Sequence, residues 1–119
     1  MNSLIRRQLR HYGLRATATV ISRTHRARWP TADLRDYDYI LAVQPEGDHA
    51  FQAKLREKFA IAGLKPEEGD VDVPVRFDPK THEVAFDLIG DPRYDPDAAQ
   101  ARHEARFADV RALKAGSRR

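Results

Sequence analysis

Five short runs in which apolar and polar residues alternate dominate the chain between residues 15 and 89. A side-chain period of two belongs to a strand with one buried and one wet face, the signature of an antiparallel sheet. The first run is R-A-T-A-T-V-I-S-R-T-H, residues 15–25, with Ala16, Ala18 and Val20 on one face and Thr17, Thr19 and Ile21 on the other. The second, Y-D-Y-I-L-A-V-Q at residues 37–44, puts Tyr37, Tyr39, Leu41 and Val43 together. The third, H-A-F-Q-A-K-L-R from residue 49, offers Phe51, Ala53 and Leu55. In the fourth, V-D-V-P-V-R-F-D at residues 71–78, Val71, Val73, Val75 and Phe77 share a face. In the fifth, E-V-A-F-D-L-I at residues 83–89, Val84, Phe86 and Leu88 do.

The connections agree with this reading. Pro45 to Asp48 (P-E-G-D) joins the second run to the third, and Asp78 to Thr81 (D-P-K-T) joins the fourth to the fifth, with Pro79 setting the first φ of its turn. Pro74 has no N–H for a ladder, so the fourth strand should be an edge or bulged there. Between the third and fourth runs lies F-A-I-A-G-L-K-P-E-E-G, where a helical turn over residues 57–62 fits. Five short strands laid flat would leave open edges, and curling into a small barrel removes most of that liability. The expected fold is mainly β, a five-stranded antiparallel OB/SH3-like small barrel with a short N-terminal helix and a C-terminal helix.

The N-terminal helix is expected over residues 2–12, with an apolar stripe of Leu4, Ile5, Leu9 and Tyr12, the arginines Arg6, Arg7 and Arg10 on the other side, and Gly13 as its stop. So short a helix is marginal alone and should dock on the body, on a partner or on a membrane surface. After Gly90 comes D-P-R-Y-D-P-D, an irregular linker. Asp95 then caps a helix whose first residue is Pro96, running to about residue 115 with a thin apolar face of Phe107, Val110 and Leu113. The chain thus divides into a helix at 1–12, a barrel at 13–90 and a linker with helix at 91–119.

Several of these stretches together resemble a known module. G-L-R-A-T-A-T-V-I-S leads to Y-I-L-A-V-Q-P-E-G, then H-A-F-Q-A-K-L, then E-E-G-D-V-D-V-P-V-R-F-D-P-K-T-H-E-V-A-F-D. The pattern is similar to a small β-barrel module of uncharacterised actinobacterial proteins, across residues 13–87. The matching positions, Gly13, Gly47, Gly69, the alternating valines and the Asp78–Pro79 turn, are fold determinants. The resemblance therefore implies a barrel and carries no activity with it. The Arg- and Ala-rich tail departs from the helical domain that often follows such barrels.

Composition narrows the chemistry. There is no cysteine, which excludes a disulfide framework, a thiolate nucleophile and Cys-based metal sites, and fits a reducing cytoplasm. No apolar run approaches the ~20 residues of a membrane span, and the N-terminus lacks the apolar core of a signal peptide. Of three serines, Ser3 and Ser117 sit near the ends and Ser22 lies three residues from His25, on opposite faces of one strand, so no nucleophile–base pair arises. His11, His25, His49, His82 and His103 show no metal-ligand spacing. The pairs Asp36/Asp38 and Asp70/Asp72 share strand faces but read as solvated surface. No glycine-rich phosphate loop is present. The expectation is a protein that is not an enzyme, with no metal and no cofactor.

Charge is unevenly spread. Residues 1–32 hold seven arginines and no acid, residues 33–98 hold 16 acids against 8 bases, and residues 99–119 hold 6 bases against 2 acids. Either the basic ends fold against the acidic middle or they meet a polyanion. The sharpest case is S-R-T-H-R-A-R-W-P at residues 22–30, the first long connection of the barrel. Arg23, Arg26 and Arg28 suit phosphates, and Trp29 with His25 suits stacking on bases. In the plainer reading Trp29 plugs one end of the barrel and the arginines pair with Asp36, Asp38, Asp70 and Asp72, while Tyr37 and Tyr39 belong to the core. The basic helix with Arg6, Arg7 and Arg10 is a second candidate surface. The function expected is a protein-interaction or accessory module, with a protein partner or self-association. The alternative is an OB-like nucleic-acid or polyanion binder using residues 22–30.

Overall fold

A computed structural model describes residues 3–25 and 34–116, with side chains over 4–25 and 34–108. Five strands form one sheet: β1 (Leu14–His25), β2 (Leu34–Pro45), β3 (Phe51–Ala60), β4 (Val73–Phe77) and β5 (Val84–Phe86). Their order is β3-β2-β1-β4-β5 with every ladder antiparallel, curled into a nearly closed barrel. The two edge strands, β3 and β5, meet through side chains, with Phe59 and Phe86 at 6.0 Å between ring centroids. The expected five-strand barrel is therefore what forms; in the chain α1 (Ser3–Tyr12) precedes it and α2 (Pro96–Gly116) follows it.

The inward residues are those the alternation selects. Ala18, Val20, Tyr39, Leu41, Val43, Leu55, Val73, Val75, Phe77, Val84 and Phe86 are all buried. Aromatic rings set the packing at one end: Tyr39 meets Phe86 edge-on at 4.9 Å and Phe59 at 6.1 Å, arrangements that favour opposed quadrupoles.

Four details differ from the sequence expectation, each for a local reason. Residues 57–60 continue β3 instead of starting a helical turn, because their partners Leu34 to Tyr37 extend β2 and offer a ladder. Val71 is exposed and outside β4, since Asp72 takes a left-handed conformation (φ 53°) that breaks the strand before it. β5 stops at Phe86, so Leu88 lies beyond it. The reason is Pro74: the Asp87 N–H donates to the Pro74 carbonyl at 3.0 Å, but proline has no N–H to return. Finally, β1 carries a bulge between Val20 and Ser22, where Ile21 has no partner in β2.

The bulge has the largest consequence. Strict alternation after Val20 would send Ser22 and Thr24 inward and Arg23 and His25 outward. One extra residue reverses this, and Arg23 lies opposite Tyr39 and His25 opposite Tyr37. Tyr39 is buried, and its hydroxyl donates to the Pro66 carbonyl at 2.9 Å. Arg23 Nη1 donates to the same oxygen at 3.1 Å. Residues 66–70 also pair with β1 backbone, through Val20 N–H to Asp70 O at 2.8 Å and Gly69 N–H to Val20 O at 2.9 Å. The connection between β3 and β4 is thus strapped across the barrel end, with the Pro66 side chain fully buried.

On α1, Leu9 is buried and Ile5 half-buried, while Leu4 and Tyr12 of the expected stripe are exposed. The helix ends as expected at Gly13, whose N–H donates to Leu9 O at 2.9 Å. A side chain at Gly13 would sit 2.5 Å from that oxygen.

Residues 89–119 form a second compact unit. Asp95 Oδ1 accepts from Asp97 N–H at 3.0 Å and Oδ2 from Gly90 N–H at 2.8 Å, so the expected cap of α2 is in place with Pro96 behind it. Phe107 on α2 is 54% exposed, and the side chains of Val110 and Leu113 lie outside the described set.

Burial pushes the Tyr39 hydroxyl well above its ordinary pKa, which keeps it a neutral donor to Pro66. Tyr39→Phe should therefore cost about 1 kcal/mol, against about 2–5 kcal/mol for Leu41→Ala in the same core, both read by urea unfolding. The backbone bond from Gly90, with further N–H groups, holds the Asp95 carboxyl below its usual pKa. A depressed carboxylate stabilises above its unfolded pKa and loses that stability as pH falls through the folded one. Circular dichroism should accordingly show α2 losing helix in acid below the ordinary aspartate range. Asp95→Ala should show the lower helicity already at neutral pH and lack that transition.

Candidate binding surface

Two surfaces of the barrel carry side chains not consumed by the core. The first is the outer face of β1, β2 and β3. Because of the bulge, Ser22 and Thr24 join Thr17 and Thr19 on this face. Opposite them stand Asp38, Ile40, Ala42 and Gln44 of β2, and beyond those Gln52, Lys54, Arg56 and Lys58 of β3. The antiparallel register sets Asp38 against Arg56 and Asp36 against Lys58, and leaves Lys54 opposite Ile40. Arg56 Nε donates to Asp38 Oδ1 at 2.9 Å, an exposed pair that solvent screens. That hydrogen bond raises the Arg56 pKa further. Ser22, Thr24, Asp38, Ile40, Lys54 and Arg56 border an open groove of about 590 Å³.

The second surface is the barrel end where β1 stops and β2 starts. Here the Tyr37 ring is flanked by cations, with the Arg23 guanidinium carbon 5.2 Å and Lys65 Nζ 5.5 Å from its centroid. His25 meets Tyr37 edge-on at 6.3 Å. Both cations are already hydrogen-bonded: Arg23 to Pro66 O, and Lys65 Nζ to the carbonyls of Ala60, Ile61 and Gly63 at 3.1, 2.8 and 3.0 Å. Their donors hold the β3–β4 connection in place. Tyr37 and Tyr39 are core residues, in line with the plainer reading of the sequence.

The expected site residues divide accordingly. Arg23 and His25 meet at Tyr37. Arg26, Arg28 and Trp29 lie outside the described residues, so the plug expected of Trp29 is not among the observations, whereas Pro66 does occupy that role at this end. The basic helix is split. Arg6 turns to the barrel and pairs with Glu57 at 2.9 Å, while Arg7 and Arg10 face solvent. Glu57 stands on the inward side of β3, and the Arg6 Nε beside it is buried without a partner among the described residues. Asp38 is paired by Arg56 of β3.

Sequence reasoning passed over Glu57, Lys65 and Pro66. Lys65 and Pro66 sit in a segment with no periodicity. Glu57 lay in a supposed helical turn, although Y-D-Y on β2 set against R-E-K on β3 could have given the ladder. Among the described residues, no three of His, Asp and Glu gather as a metal centre, and no helix is long and apolar enough to cross a membrane. Compared with protein-family models, curated proteins and solved structures, the chain matches none.

The two ion pairs should behave differently. Glu57 and Arg6 side chains are 12% and 26% exposed. Glu57→Gln strands a largely buried guanidinium and should cost about 1–3 kcal/mol in urea unfolding. Asp38→Asn, on the open face, should cost under about 1 kcal/mol.

Proposed function

We propose that the chain is a non-enzymatic binding module, an OB-like small barrel that engages a protein partner or a second copy of itself through the outer face of β1, β2 and β3. The observation that carries this reading is the chemistry of the groove beside Ser22 and Ile40. Arg56 is neutralised across the strand by Asp38, and the hydroxyls of Ser22 and Thr24 stand beside Ile40 and the single further cation Lys54. The two other residues at its floor, Tyr39 and Leu55, are buried in the core, so no exposed ring faces it. Nucleic acid asks for unpaired cations and stacking platforms. A polypeptide surface of mixed polarity asks for what this groove offers.

The arrangement resembles an OB fold. Its five strands form a partly open barrel, with a bulged first strand paired to both β2 and β4. In that fold the face of the second and third strands and the first loop take the ligand. The same likeness supports a second reading. Residues 26–33 connect β1 to β2, the place of that first loop, and they contain Arg26, Arg28 and Trp29. That reading is a polyanion contact through residues 22–30. Membership of the actinobacterial barrel module and a cytoplasmic location remain parts of the proposal.

A photo-crosslinker at Ser22 tests the first reading in living cells. A discrete adduct with one protein, or with the chain itself, lost in Ile40→Glu, is the expected result. Absence of any Ile40-dependent adduct overturns it. The second reading is tested by Trp29 fluorescence during titration with a single-stranded oligonucleotide. Quenching that weakens steeply with salt would replace the protein partner by a polyanion.

A further inference from the structure

The outward side of α1 is not explained by the barrel or by the sheet-face groove. Ile5, Arg6 and Leu9 turn toward the body, with Leu9 buried and Arg6 held by Glu57 at 2.9 Å. At 3.6 residues per turn, Arg7, His11 and Leu4 fall within about 60° of one another on the opposite side. Arg10 and Tyr12 flank them. Leu4 is 63% exposed, Tyr12 85%, and Leu14 just beyond the helix 51%. Arg7, Arg10 and Arg15 are exposed, and no ion pair holds any of them among the described residues.

We propose that this surface, made by Leu4, Arg7, Arg10 and Tyr12, docks the barrel on an anionic lipid surface. The helix itself carries only positive charge, since residues 1–32 contain no acid, while Asp78 and Glu83 with Lys80 border the groove beside Ile5, Leu9 and Tyr12. A phosphate backbone would use the arginines but gives no reason for Leu4 and Tyr12 to stand uncovered beside them. The boundary of an anionic bilayer takes both at once: headgroups attract the arginines, and leucine and tyrosine enter the apolar margin beneath. The packing supports a helix lying flat. Leu9 and the Arg6–Glu57 pair hold its inner side to the barrel, so the outer side is presented as a fixed strip rather than a free peptide. This surface is independent of the groove on β1, β2 and β3, and either proposal stands if the other fails.

The experiment is cosedimentation of the full chain with vesicles of phosphatidylcholine alone and of phosphatidylcholine mixed with phosphatidylglycerol, at low and high salt. Binding to the anionic vesicles only, released by salt, is expected. Each exposed arginine contributes roughly a factor of five, so Arg7→Ala with Arg10→Ala should weaken binding about 25-fold. Leu4→Ser with Tyr12→Ser should weaken it on the same vesicles while circular dichroism stays unchanged. Equal binding to neutral vesicles, no binding to either, or anionic binding indifferent to both pairs of substitutions overturns the proposal. So does a result in which a single-stranded oligonucleotide binds through Arg7 and Arg10 while vesicles do not, which would make α1 a nucleic-acid contact. The wild-type comparison of the two lipids decides the matter even where a variant folds poorly.

Discussion

Between Val20 and Ser22, β1 carries one residue more than β2, and the rest of the barrel end is arranged around that difference. On the early half of the strand, Ala16 and Ala18 face inward while the backbone pairs with β4. On the later half, Arg23 and His25 face the tyrosines of β2. Without the bulge the inward positions would be Ser22 and Thr24, too short to span the end of the barrel. With it, Arg23 reaches Pro66 O beside the Tyr39 hydroxyl, and a loop rich in carbonyls and acids is drawn over the aromatic cluster. Small barrels need such a cover because their ends expose core rings and backbone alike. Here a strapped loop with a buried proline does that work.

The same residue sets the character of the open face. By sending Ser22 and Thr24 outward, the bulge completes a row of hydroxyls next to the Asp–Arg and Asp–Lys ladder of β2 and β3. A face of that kind is well hydrated and close to neutral. Most of its charges have an opposite charge across the strand, while Lys54 stands opposite the aliphatic Ile40. Basic character is concentrated elsewhere, on α1 and in the residues that follow His25.

The barrel was legible in the chain because its information is redundant. Each of the five runs repeats its apolar step several times, so the faces of Leu41, Val43, Val75 and Phe77 follow even when strand ends are misplaced by two or three residues. The bulge was not legible, because T-V-I-S-R-T-H alternates as well in one frame as in the other, and only the tyrosines opposite decide which frame wins. The cover was hidden for a different reason. Pro66 and Lys65 act through backbone carbonyls and through burial under a loop, and neither leaves a periodic trace. Capping chemistry is local, so Gly13, Asp95 and Pro96 were readable from single residues.

Charge needs a similar division. Seven arginines in residues 1–32 look like one basic arm, but folding gives them different tasks. Arg6 neutralises an inward glutamate and Arg23 fastens a loop, so both are structural in a place where lysine would lose the second donor or the flat fit to a ring. Arg7, Arg10 and Arg15 contribute nothing visible to the barrel's own stability. Cations that a fold does not need, kept beside uncovered leucine and tyrosine on a pinned helix, make sense as contact chemistry. That is why α1, rather than the arginine-rich stretch that first draws the eye, carries the stronger case for meeting an anionic surface.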